Sequence, residues 1–141
     1  MSTVRRLYFG PQIDSGTIRS EKSAGGVPTF AAARAGGLVF TNGVVSNDPE
    51  TGAVVGGDIR VQTRRVLQTL RDGLRQAGTD FDHVVLVQSF IKSIDDWPAY
   101  HEVYLEFFDE HRPPPRFTVT ADLAAPELLI EIQMIAAVPN A

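Results

Sequence analysis

Two residues in the last quarter of the chain have the type and surroundings to act on a small acid. Arg116 follows Pro113-Pro114-Pro115 and opens an alternating segment, so a stiff backbone restricts where its guanidinium can go. A guanidinium grips carboxylate through two parallel hydrogen bonds and keeps its proton at neutral pH, which suits a fixed fork to orienting an acidic substrate. A strand-end salt bridge or a solvent-facing arginine would use the same residue without chemistry. Glu131 sits among Leu128, Leu129, Ile130, Ile132, Met134 and Ile135. A carboxylate in such company must pair with a cation, accept hydrogen bonds or take up a proton, and a carboxyl of raised pKa serves as general acid or base near neutrality. The polar face of an edge strand accounts for it as well, since Gln133 shares its side-chain direction.

Other candidates carry weaker signals. His101 flanks an apolar stripe and could reach a cleft, or be a surface histidine. Thr118 and Asn42 offer polar groups on strands, with hydrogen bonding inside the fold as the plainer role. Tyr100 and Tyr104 have the i, i+4 spacing of a core stripe. Gly56-Gly57-Asp58 before a helix reads as a cap, because Asp58 would repel an anion. The 141 residues include no cysteine, which excludes disulfides, thiol nucleophiles and thiolate metal sites. No two of His83, His101 and His111 have the i, i+4 spacing of metal ligands, so no metal site is expected. With 17 acids against 13 bases the chain lacks the footprint that phosphate backbones select, and nucleic acid is not the expected partner. No apolar run suits a secretory leader or a membrane span, so a cytoplasmic protein with no membrane partner is expected.

The elements that must hold these residues follow from periodicity. Residues 1–24 lack a sustained period and read as an extended arm; residues 25–141 form one domain. Phe30 to Ala35 and Leu38 to Val45, separated by Gly36-Gly37, read as a hairpin, and Asn47-Asp48-Pro49-Glu50-Thr51-Gly52 as a turn. Asp58 precedes Ile59, Thr63, Val66, Leu67, Leu70, Leu74 and Ala77, apolar or small positions three or four apart that predict a helix closed by Gly78. Val84 to Ile91 reads as a central strand apolar on both faces. Asp95-Asp96 can cap a second helix, with Pro98 in its first turn, a stripe of Trp97, Tyr100, Val103, Tyr104 and Phe107 or Phe108, and an end near His111. Two strands follow, Arg116 to Leu123 and Leu128 to Val138. The order is ββαβαββ, an α+β layered fold with both helices on one face of a sheet. The uncovered face then needs a second copy, and a symmetric homo-oligomer is the simplest cover.

From Gly25 to Ala137 the chain resembles the RidA/YjgF family. The resemblance rests on Leu38-Val39-Phe40-Thr41-Asn42-Gly43, Asp48-Pro49-Glu50-Thr51-Gly52, Gly56-Gly57-Asp58-Ile59, Gln62-Thr63-Arg64, Val103-Tyr104-Leu105-Glu106-Phe107-Phe108, Pro114-Pro115-Arg116 and Ile130-Glu131-Ile132. It implies a chorismate-mutase-like fold and a homotrimer with its sites between subunits. It also implies hydrolytic deamination of a small 2-imino or 2-enamino acid to a 2-oxo acid and ammonium, without a cofactor. In that family the arginine matching Arg116 holds the substrate carboxylate and the glutamate matching Glu131 lies near the attacking water. The resemblance departs at Thr29, where a loop tyrosine is frequent, at Asn42 and Thr118, where smaller or sulfur-bearing residues are frequent, and at Asp122. Thr29, Phe30, Asn42, His101 and Thr118 are accordingly the expected substrate-binding set around Arg116, for a substrate other than the housekeeping one. A non-catalytic ligand-binding or regulatory trimer and an endoribonuclease-like hydrolase are the alternatives.

Overall fold

The computed structural model describes residues 4–7, 31–48 and 51–140. Its strands are β1 (Arg5–Leu7), β2 (Ala32–Ala35), β3 (Leu38–Thr41), β4 (Val44–Val45), β5 (Val84–Ile91), β6 (Arg116–Thr120) and β7 (Ile130–Ala137); its helices are α1 (Ile59–Gln76) and α2 (Trp97–Tyr104). The strands make one mixed sheet in the order β1-β2-β3-β7-β5-β6, and β4 also pairs with β7. All neighbours are antiparallel except β5 and β6. Parallel pairing needs a crossover, and α2 supplies it.

The secure parts of the expected order are in place. Asp58 accepts from Val61 N at 2.9 Å and caps α1. Ile59, Thr63, Val66, Leu67, Leu70 and Leu74 are buried along one face of that helix, and Gly78 follows with φ of 89°, where a side chain would be strained. Gln62 shares that face and is fully buried. Its amide donates to the carbonyls of Gly57 (3.1 Å) and Glu127 (2.8 Å), and its oxygen accepts from Leu129 N (2.9 Å), so it ties the start of α1 to the chain entering β7. The helix-facing side of the sheet presents Val87, Ser89 and Ile91 from β5 and Ile130, Ile132, Met134 and Ala136 from β7, all with no exposed surface.

Four boundaries differ from the periodic reading. The second hairpin strand breaks at Asn42-Gly43 into β3 and β4, which pair with different parts of β7. β6 ends at Thr120 instead of running to Leu123, and β7 starts at Ile130 instead of Leu128. The helix expected to end near His111 ends at Tyr104. Past it the chain tightens through bonds from Glu106 N to Val103 O and Phe107 N to Tyr104 O, which turns Phe108 onto Phe81 (rings stacked at 4.6 Å). Those phenylalanines are core residues of a turn, so their spacing imitates helix. Asp96 makes no side-chain cap; instead Ser93 accepts from Asp95 N in the 3-10 turn Ile94–Asp96 that leads into α2. Of the expected arm, Arg5–Leu7 pairs with β2 at the sheet edge, and Thr29 and Phe30 lie outside the described residues.

Among the described residues nothing covers the face away from the helices. Phe40, Phe117 and Val119 expose 38%, 45% and 44% of their surface there, and Phe90 meets the edge of Phe117 at 6.4 Å.

Candidate active site

Arg116 is the first residue of β6. Its strand is held at that point by the bond from Val87 N to Pro115 O (2.9 Å), with Arg116 in register with Val87 on the helix-facing side. The guanidinium carbon therefore lies over the ring of Tyr104, 4.0 Å from its centroid, with Tyr100 at 5.4 Å and Trp97 at 5.8 Å. Cation and aromatic faces attract, which fixes the plane of the fork. Nη2 meets Nδ1 of His101 at 3.0 Å, while the buried Nη1 has no acceptor among the described residues. Arg116 joins no ion pair among the described residues either.

The aromatic residues around it come from one helix. Trp97, His101 and Tyr104 are spaced i, i+4, i+7 and so share a face of α2. His101 stacks on Trp97 at 4.5 Å and 22°, and lies 15° from the plane of Tyr104. Burial, then the charge of Arg116, holds its imidazole below the ordinary histidine range, so it is neutral at neutral pH. Burial likewise pushes the Tyr104 phenol up, so it stays protonated. Ser89 and Tyr100 share a buried hydrogen bond of 2.5 Å beneath the site. Thr118, two residues beyond Arg116 and in register with Ser89, is half-buried on the same side.

Glu131 is elsewhere. It pairs with Phe90 of β5 and Val45 of β4, and its half-buried side chain points to the uncovered face, packed against Gly43. A Cβ at Gly43 would collide with that carboxylate where it now lies, so the glycine leaves room for this placement of Glu131 and is not called for by φ. Asn42, exposed and bonded through its N to Ala31 O (2.8 Å), belongs to this second group. Arg116 is level with Val87, and Val87 with Met134, three residues beyond Glu131. Two strand spacings and three residues make roughly 14 Å between the two backbones, on opposite faces of the sheet. One chain therefore brings together Arg116, His101 and Thr118, and separately Glu131 and Asn42, but not the two groups. The aromatic seat under Arg116 was legible in sequence only as a core stripe; the Trp97, His101, Tyr104 spacing was the signal that could have marked it. Among the described residues no three acidic or histidine side chains converge as metal ligands, and no helix is long and apolar enough to cross a membrane.

Fold and site define an α+β protein whose single mixed sheet carries two helices on one face and, at the head of an edge strand, a stacked arginine in no ion pair among the described residues. Solved structures with this fold include a Rid family protein of Yersinia pestis, 32% identical with a TM-score of 0.74, covering 85% of this chain and 94% of that one. A YjgF/YER057c/UK114 family member from Mycobacterium tuberculosis is 29% identical with a TM-score of 0.72, covering 96% and 100%. The chain belongs to the RidA/YjgF family, whose family model, described as Endoribonuclease L-PSP, matches residues 27–138. Among its relatives, 3-aminoacrylate deaminase RutC of Acinetobacter baylyi is 36% identical over 109 residues, which are 77% of this chain and 86% of that protein. A RutC family protein of Pyrococcus abyssi is 37% identical over the same length, 77% and 85% of the two chains.

Proposed function

We propose that the protein hydrolyses a small 2-imino or 2-enamino acid to the 2-oxo acid and ammonium, at sites shared between copies of the chain in a homotrimer. The observation that carries this reading is Arg116: its plane is set by Tyr104, one end is held by His101, and its charge meets no acid among the described residues. Such a fork is prepared for a carboxylate. The relative from Acinetobacter baylyi is named for 3-aminoacrylate, itself an enamine that carries a carboxylate, which supports the same substrate class.

The opposed faces of Arg116 and Glu131 favour a site made by two subunits. The exposed Phe40, Phe117 and Val119 favour burying the face that bears Glu131 against a neighbour, and a symmetric arrangement would set Glu131 of one copy towards Arg116 of the next. Arg116 then orients the carboxylate, water adds to the C=N carbon, and Glu131 relays a proton from that water to the nitrogen. The C–N bond breaks as the C=O forms; iminium plus water gives 2-oxo acid plus ammonium. Thr118 offers a hydroxyl beside the substrate. The acidic balance of the chain speaks against RNA as the substrate.

Imines generated in place by an amino-acid oxidase, with semicarbazide trapping what survives, test the reaction. Faster loss of the trappable imine with matching ammonium release is the expected result; unchanged decay over a panel of amino acids overturns the proposal.

A further inference from the structure

We propose that His101 is a positioning residue for carboxylate capture: its Nδ1 holds Nη2 of Arg116, and capture fails when that nitrogen takes up a proton. The inference rests on the reading of Arg116 as the carboxylate fork and adds a regulation to it.

The geometry fixes the roles of the two nitrogens. Arg116 can only donate, so at 3.0 Å the Nδ1 of His101 must accept, and the proton of the neutral ring sits on Nε2. Neither partner is free to turn. The imidazole is stacked on Trp97 at 4.5 Å, and the guanidinium lies on Tyr104 at 4.0 Å, so the bond between them sets the rotation of the fork within its plane. Protonation puts N–H against N–H at that separation and adds a like charge beside Arg116. The ring cannot turn aside without leaving Trp97, so the guanidinium gives way.

The other charged and titratable groups do not relieve this. Tyr100 and Tyr104 on α2 are buried phenols. The neighbouring helix α1 brings Arg60 and Arg64, each taken by an acid, Glu102 of α2 at 2.6 Å and Glu106 in the turn just past α2 at 2.8 Å. Asp95 and Asp96 stand in the turn before α2. Of all these, Arg116 is the charge that acts on the imidazole, and together with burial it keeps the ring neutral near neutral pH. An incoming carboxylate would attract an imidazolium, but in a half-exposed site that gain is smaller than the loss of a two-bond fork, so acid weakens binding.

Calorimetric binding of pyruvate, whose carboxyl stays ionised throughout, tests the proposal at about pH 7.5 and about pH 4.5, the lower value set well under the ordinary histidine pKa because that of His101 is lowered. Wild type is expected to bind about tenfold more weakly at the acid pH, the factor that one hydrogen bond to a charged group carries. His101→Asn keeps an acceptor in place of Nδ1 and does not titrate, so at the higher pH it should bind more tightly than His101→Leu, and it should lose the acid limb. His101→Leu should bind about tenfold more weakly at both. Nitrogen-15 spectra of the wild-type imidazole should show the Nε2–H tautomer near neutrality. An acid limb retained in His101→Asn, or a proton on Nδ1 at neutral pH, overturns the proposal even if His101→Leu fails to fold. Loss of binding in Arg116→Ala with unchanged histidine variants sinks this inference alone. Wild-type binding by Arg116→Ala, or none by wild type, sinks the carboxylate reading and this inference with it.

Discussion

Gly43→Ala isolates the role of Glu131 without touching that residue. A Cβ built on Gly43 overlaps Oε1 of Glu131 and comes within 2.9 Å of its Cδ and 3.2 Å of its Cγ. What must yield is the far end of a flexible side chain, and the backbone of Gly43 is not in the left-handed region, so alanine fits once the carboxylate swings away. A side chain pushed off its rotamer costs about 0.5–1.5 kcal/mol. Replacing glycine returns about 0.4–1 kcal/mol by restricting the unfolded chain. The two nearly cancel, so melting should move by only a few degrees at about 2–8 °C per kcal/mol. Catalysis should suffer far more, because displacing a proton-relaying group by about 1 Å costs on the order of 10²-fold. We expect kcat for imine hydrolysis to fall by about that factor with KM little changed, approaching the drop of about 10²–10⁴ for Glu131→Gln. The assay is initial-rate ammonium release beside a thermal melt and light scattering. A folded Gly43→Ala protein of unchanged assembly with wild-type kcat would refute the placement of Glu131 in the proton path.

Three further outcomes are expected of the same molecule. Arg116→Lys should recover little of what Arg116→Ala loses in pyruvate affinity, since an ammonium cannot reproduce a planar fork seated on Tyr104; equal affinity of the lysine variant and wild type by calorimetry counts against the stacked geometry. Phe117→Asp, on the exposed apolar face, should leave a monomer at micromolar concentration, in place of the proposed trimer, with the far-ultraviolet spectrum intact, and a trimer by light scattering would place the interface elsewhere. Gln62→Leu should cost about 3–5 kcal/mol in urea unfolding, because Leu129 N and the carbonyls of Gly57 and Glu127 all lose their partner; a loss under about 1 kcal/mol would mean that water replaces all three bonds.

Sequence periodicity resolved what depends on neighbours along the chain. α1 was readable because Asp58, the three-to-four spacing of its buried face and Gly78 agree. β5 and β7 were readable because apolar runs of that length are too short for core helices. Within a strand, direction was readable too: Arg116 with Thr118, Glu131 with Gln133. The relation between strands was not. That Arg116 and Glu131 face opposite ways follows from the parallel β5–β6 register and the antiparallel β5–β7 register, which three distant segments set together. The early end of α2 was hidden because the turn after Tyr104 keeps an aromatic spacing that serves Phe81, and the break at Asn42-Gly43 because β3 and β4 pair with different parts of β7, far along the chain.

The stack of Trp97 on His101 also gives the molecule an optical signal of its own. Trp97 is the only tryptophan in the chain, and its indole lies against the imidazole that touches the carboxylate fork. An imidazolium quenches indole emission where a neutral ring does not, so the fluorescence of the unlabelled protein should dim as His101 protonates and stay level with pH in His101→Asn. The same light, followed during rapid mixing with pyruvate, would time the filling of the site without dye, tag or coupled enzyme.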